Sequence, residues 1–127
     1  MKRTAVFLLI MFMGQVVVIQ AQGGGKAEPK RISEVSAGVV LTGTLRNSQE
    51  MEYVFAGANG KTAAFRNPQP SLFDVRIYEP GSGFDTEYDS SKTFEIELPE
   101  SSDYLIYVRR KTGGPRTARF RISFRVR

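Results

Sequence analysis

The chain has 127 residues, with 18 Lys and Arg against 13 Asp and Glu for a formal charge of +5, and neither histidine nor cysteine. Without those two residue types there is no imidazole or thiolate zinc site, no Ser-His or Cys-His nucleophile and no disulfide framework. The length suits one domain of ordinary size, which must be held by its core alone.

Residues 1–21 read as a secretory signal. Lys2 and Arg3 form the positive start, residues 5–13 the apolar stretch, and Ile19-Gln20-Ala21 a cleavage site. The apolar run breaks at Gly14-Gln15 and falls short of the roughly 20 residues a spanning helix needs, so cleavage near Gln22 is expected rather than anchoring. The destination is then the periplasm or the exterior of a bacterium, and the charge falls from +5 to +3. Residues 22–30, with Gly23-Gly24-Gly25 and Glu28-Pro29, form a flexible linker, and residues 31–127 form the domain.

Within the domain, strand signals recur at short intervals. Residues 31–37 suit an edge strand or a helical turn; residues 39–45 are apolar and β-branched. A polar turn over 46–50 precedes Met51, Tyr53 and Phe55, which alternate with Glu52 and Val54. Ala58-Asn59-Gly60-Lys61 is a tight turn, and residues 62–66 a short strand. Asn67-Pro68-Gln69-Pro70 interrupts pairing, because proline lacks an N–H. Phe73, Val75 and Ile77 then alternate with Asp74, Arg76 and Tyr78, and residues 79–91 form a long polar loop. Strands over 93–98 and 104–108 follow, separated by a turn over 99–103, and a loop over 109–116 carries Gly113-Gly114-Pro115.

The last eleven residues alternate without a break. Phe120, Ile122, Phe124 and Val126 fall on one side; Arg119, Arg121, Ser123, Arg125 and Arg127 fall on the other. Such a half-buried strand needs a facing layer, so the fold class is all-β: one antiparallel β-sandwich of about seven or eight short strands.

Charge is segregated along the chain. Residues 109–127 hold eight Lys and Arg and no acid; residues 74–103 hold nine acids against Arg76 and Lys92. Neighbouring acidic and basic strands would account for this, with Glu95 and Glu97 as partners of the terminal arginines. Asp85, Glu87 and Asp89 are the carboxylates to weigh for glycoside hydrolysis or Ca²⁺. They lie in a polar loop without the glycine and distal glutamate of a helix-loop-helix site, and solvation explains them, so no catalytic residue, metal or cofactor is expected. Phe120 and Phe124 oppose the arginines and read as core, which leaves no stacking platform for nucleic acid. The loop over 109–116 packs Arg109, Arg110, Lys111 and Arg116 together. It is either a solvated hairpin end or a cationic tip suited to an acidic cleft on a protein partner.

Several stretches, taken in order, resemble the periplasmic inhibitors of g-type lysozyme. They are Gly43-Thr44-Leu45, Tyr53-Val54-Phe55, Ala58-Asn59-Gly60-Lys61, Ile77-Tyr78-Glu79-Pro80-Gly81, Leu98-Pro99-Glu100-Ser101-Ser102-Asp103-Tyr104 and the basic loop ending in Thr117-Ala118-Arg119-Phe120. That family is similar to the pre-peptidase C-terminal domains, which share the Leu-Pro-x-x-x-x-Tyr pattern, and the resemblance spans residues 35–127. It implies a sandwich that plugs a lysozyme's substrate cleft with two loops. Here these are residues 46–50, where Ser48 or Glu50 stands in place of the family's tyrosine, and residues 109–116, shorter than in the family, with Arg110 and Arg116 best placed and Arg109 and Lys111 beside them. The competing implication is a carbohydrate- or matrix-binding module, for which Tyr53, Tyr78, Tyr88, Tyr104 and Tyr107 are the rings to inspect; a purely structural envelope protein is the third.

Overall fold

The structure, a computed structural model, describes residues 18–22 by backbone and residues 28–127 in full. Residues 1–17 of the expected leader over 1–21, and residues 23–27 of the linker, lie outside the described residues.

The strands in chain order are β1 (Val18–Gln22), β2 (Lys30–Ile32), β3 (Val39–Arg46), β4 (Glu50–Gly57), β5 (Thr62–Arg66), β6 (Phe73–Glu79), β7 (Phe84–Asp85), β8 (Thr93–Glu97), β9 (Ser102–Arg110) and β10 (Thr117–Val126). The described residues contain no helix. One sheet runs β1-β3-β10-β5-β8 and the other β2-β4-β9-β6-β7. All pairings are antiparallel except those of β1 with β3 and β2 with β4.

The long strands β3 to β6 and β8 to β10 are those the alternation predicts. The additional strands are short or lie where the sequence favours something else. β1 falls in the segment read as the end of the leader, β2 opens the ambiguous stretch before a turn at 35–37, and β7 is a two-residue pairing inside the long polar loop.

Inward-facing rows from both sheets make a single core. On β4 these are Met51, Tyr53 and Phe55; on β9, Tyr104, Ile106 and Val108; on β10, Phe120, Ile122, Phe124 and Val126, all buried. Aromatic pairs stitch the layers together. Phe55 of β4 meets Phe124 of β10 edge-on at 4.8 Å, and Phe73 of β6 meets Phe120 at 5.6 Å. Such pairs add about 0.5–1.5 kcal/mol beyond the area they bury.

The Leu-Pro-x-x-x-x-Tyr stretch has a mechanical explanation. The Tyr104 hydroxyl donates to the Glu100 carbonyl at 2.6 Å and accepts from the Glu100 amide at 3.0 Å, while Leu98 is buried in the core. This is the tyrosine corner of sandwich folds, a ring at the start of a strand tying back the preceding turn.

One expected pairing differs. Of the outward arginines on β10 and at its end, Arg127 reaches Glu95 at 3.0 Å, but Arg119, Arg121 and Arg125 make no ion pair among the described residues. Strand order is the reason: β5 lies between β10 and β8, so Glu95 and Glu97 stand two strands away.

Candidate partner-binding end of the sandwich

The two segments expected to act together are neighbours. Residues 46–49 make a tight turn in which the Gln49 amide donates to the Arg46 carbonyl at 3.1 Å, the Gln49 side chain accepts from the Arg46 amide at 2.8 Å, and Ser48 takes φ 68°. That turn is tied to the end of β9. The Ser48 amide donates to the Arg110 carbonyl at 2.9 Å, and the Arg110 amide donates to the Gln49 carbonyl at 2.8 Å. A third segment joins them, since the Lys111 amide donates to the Leu72 carbonyl at 2.8 Å. One end of the sandwich is therefore built from residues 46–50, 67–72 and 111–116.

The cations at this end do not share one environment. Arg110 is expected from the sequence at the surface, but it is wholly buried. β9 extends two residues past Val108, so Arg110 inherits the inward parity of Tyr104, Ile106 and Val108. Its guanidinium lies 5.9 Å from the centre of the Phe73 ring. It donates to the carbonyls of Lys111, Gly113 (2.8 Å) and Pro115 (2.6 Å), and its Nε is buried without an acceptor. Arg110 is thus the internal post around which the loop winds, and Gly113 and Gly114, at φ 102° and 76°, supply the left-handed backbone that brings carbonyls back to it.

Arg109 faces outward from the same strand end. It donates to both oxygens of buried Asp74, at 3.1 and 2.7 Å, and stacks on the Tyr88 ring at 3.7 Å. The Asp74 bond holds the guanidinium's pKa above its ordinary value. Tyr88 in turn donates to the Glu50 carboxylate. Burial, and then that bond, push the phenol's pKa up. Lys111 is half-buried, donating to the Pro70 carbonyl at 3.0 Å and to the Ser90 hydroxyl at 3.1 Å. Arg116 is exposed and makes no hydrogen bond or ion pair among the described residues. Ser48 and Glu50 are also exposed.

The outer face of the β4-β9-β6 layer continues from this end. Pairing sets Glu50, Arg109 and Asp74 in one row and Glu52, Tyr107 and Arg76 in the next. Arg76 grips Asp85 through two bonds of 2.8 and 2.6 Å, which lowers the carboxyl's pKa and raises that of the guanidinium. Its guanidinium carbon lies 5.2, 5.7 and 5.5 Å from the centres of the Tyr78, Tyr88 and Tyr107 rings. Tyr53 and Tyr104 are buried in the core, so they offer no flat surface to a sugar. Asp85, Glu87 and Asp89 do not converge: Asp85 is taken by Arg76, Asp89 caps the Ser91 amide at 2.8 Å, and Glu87 is exposed.

Asp74 and Arg76 are the parts of this site that sequence reasoning leaves out, and it names Tyr88 only as a ring to inspect for sugar binding. Asp74 and Arg76 share the outward parity of β6, which is legible in the sequence. The return of Tyr88 over the sheet depends on tertiary pairing, with the Val75 and Asp89 backbones bridged at 3.0 and 2.8 Å.

This arrangement, two antiparallel-dominated layers with a tyrosine corner and a loop-built end, is a β-sandwich. No protein-family model and no curated protein matches the chain. Solved structures share its fold. The periplasmic g-type lysozyme inhibitor PliG of Salmonella Typhimurium superposes with a TM-score of 0.59 at 15% identity, over 77% of this chain and 99% of that one. PliG of Aeromonas hydrophila gives 0.57 at 14% identity over 89% and 100%. The pre-peptidase C-terminal domain of a Bacillus anthracis collagenase gives 0.55 at 14% identity over 82% and 99%.

Proposed function

We propose that this chain is an exported, non-enzymatic binding protein that inhibits a lysozyme of the g type by seating the loop-built end of its sandwich in the enzyme's substrate cleft. The observation that carries the reading is the pair of backbone hydrogen bonds joining residues 48–49 to Arg110, which present both loops as one surface. The fold shared with periplasmic inhibitors of g-type lysozyme supports it. Arg116, exposed and unpaired, is the cation offered to the partner's carboxylates. Arg109 and Lys111 flank it with their charges partly engaged, and Ser48 and Glu50 supply the polar rim. Arg110 contributes by holding the loop's shape. Inhibition of this kind is occlusion plus charge complementarity, with no bond made or broken.

A lysis assay tests the reading. Purified protein lacking residues 1–21 should block a g-type lysozyme at near-equimolar dose, and Arg116→Glu should raise the half-inhibitory dose by about tenfold or more. Full enzyme activity in a tenfold molar excess of well-folded protein would end the proposal.

The gathering of Tyr78, Tyr88 and Tyr107 round Arg76 favours a second reading, a saccharide- or matrix-binding module. Retention on insoluble polysaccharide that is lost in Tyr107→Ala, with no effect on lysozyme, would establish it in place of the first.

A further inference from the structure

One end of the outer face of the β1-β3-β10-β5-β8 sheet carries charge that its own strands do not neutralise. Alternation turns Arg119, Arg121 and Arg125 outward on β10. Register sets Arg46 beside Thr117, Thr44 beside Arg119, and Arg66 beside Ser123. All five arginines are exposed, and none makes a side-chain hydrogen bond or ion pair among the described residues. The carboxylates of this sheet, Glu95 and Glu97, sit on β8 at the opposite edge from β3, and Arg127 already takes Glu95. Arg66 and Arg125 line a groove that also holds Glu34 and Glu95, whereas the end of the face bearing Arg46, Arg119 and Arg121 has no acid on its strands.

Like charges in neighbouring positions on one face repel, and Arg119 and Arg121 stand about 6.7 Å apart along their strand. A set of guanidinium groups without an internal counter-charge is matched to an external anion. The remaining outward side chains narrow the choice. Thr44, Thr117 and Ser123 add exposed hydroxyls, whereas the apolar outward residues of β3, β10 and β5 are the small Val40 and Ala64. Among the described side chains of this face there is no aromatic for a base to stack on and no large apolar wedge to enter a bilayer. What remains is a layer of fork-shaped donors at one level, suited to a plane of phosphates.

We propose that this face rests on an anionic lipid surface, with Arg46, Arg119 and Arg121 against headgroup phosphates. The contact is peripheral and electrostatic. It lies on the opposite layer from the Arg76 and Tyr88 face, and it stands independently of the lysozyme reading.

Co-sedimentation with vesicles tests it. The mature protein should sediment with vesicles of equal parts phosphatidylglycerol and phosphatidylcholine at about 0.02 M salt, stay in solution with pure phosphatidylcholine, and be released at about 0.5 M salt. Arg119→Gln with Arg121→Gln should weaken binding roughly 25-fold, about fivefold for each cation. Lys30→Gln with Arg31→Gln removes the same charge from exposed positions on the other sheet and should cost far less; thermal melts confirm that both pairs fold. Equal losses in the two pairs would show attraction by net charge alone and overturn the proposal. So would the absence of vesicle binding, or retention of duplex DNA by a protein that ignores the vesicles.

Discussion

From a fully buried position, the Arg110 guanidinium donates to the Pro115 carbonyl at 2.6 Å. With the bonds to Lys111 and Gly113, one side chain satisfies three carbonyls of its own loop. Arg110→Met keeps most of the volume and removes every donor. The expected cost is about 3 kcal/mol, since carbonyls lose charge-assisted partners in a dry site. Urea denaturation should show it, together with faster amide exchange over 111–116. Arg110→Lys should recover a fraction, because an ammonium cannot span three acceptors as a planar fork does. Wild-type stability in Arg110→Met would mean that the backbone alone holds the loop.

The placement of Arg110 was within reach of the sequence. Extending the alternation Tyr104, Ile106, Val108 by one step lands on it. The polar run Arg109-Arg110-Lys111 and the glycines behind it argue for a loop, and an isolated cation on an apolar row looks like a strand end. What outweighs composition here is a set of carbonyls brought back by Gly113 and Gly114, and no local pattern announces that closure. The seven long strands and their buried faces are legible because period-two alternation reports burial directly. Strand order is not, since it depends on which distant segments pair: charge patterning assigns the β8 carboxylates to the terminal arginines, and β5 holds Arg119, Arg121 and Arg125 away from them while Arg127 reaches Glu95. The nearness of residues 46–50 to 109–116 followed from the family resemblance; the tyrosines around Arg76 and the anchoring of Arg109 on Asp74 are tertiary facts.

The tyrosine corner makes a sharper prediction about the turn over 98–104. Tyr104→Phe keeps the ring stacked on Phe55 at 5.5 Å and deletes the bonds to Glu100. A loss of about 1–2 kcal/mol is expected, with the midpoint shifted and the denaturant slope unchanged. Gly57→Ala should act at the same place by a different route. A Cβ there would sit 2.7 Å from the Tyr104 ring and 2.8 Å from the Leu98 side chain, closer than carbon atoms tolerate. Overpacking of this kind costs about 1–3 kcal/mol, and combining the two changes should give a non-additive total because they share Tyr104.

Acid should weaken the fold through Glu79. Its carboxylate accepts from the Ser82 hydroxyl and amide, both at 2.6 Å, from the Gly81 amide at 3.0 Å and from the Ser102 hydroxyl at 3.0 Å. Those donors, Ser82 foremost, hold its pKa down to about 2 against an ordinary 4.5. The folded state thus binds the proton less readily than the unfolded one. The stabilisation is complete above pH 4.5 and disappears as pH falls towards 2. Melting temperature should drop across that window, and Glu79→Gln should flatten the dependence while lowering stability at neutral pH. Asp85, whose pKa Arg76 also depresses, pulls the same way, so some slope should persist in the variant. An unchanged slope in Glu79→Gln would assign the acid sensitivity elsewhere.

The Asp74–Arg109 pair should fall between the weak surface bridges and the strong buried ones. Asp74 keeps 4% of its side chain exposed and Arg109 40%, so one partner is dry and the other still reaches water. Exposed pairs couple by about 0.2–1 kcal/mol, whereas losing one member of a buried pair costs about 3–5 kcal/mol. A double-mutant cycle with Asp74→Asn and Arg109→Gln should return a coupling of about 1–2 kcal/mol, little reduced by salt because the carboxylate is shielded. The single Arg109→Gln change should destabilise more than Asp74→Asn. It leaves the dry carboxylate without its cation, while the converse leaves a guanidinium that still reaches water and an asparagine oxygen that can accept from it. A coupling near zero would mean that stacking on the Tyr88 ring, at 3.7 Å, fixes Arg109 without help from Asp74.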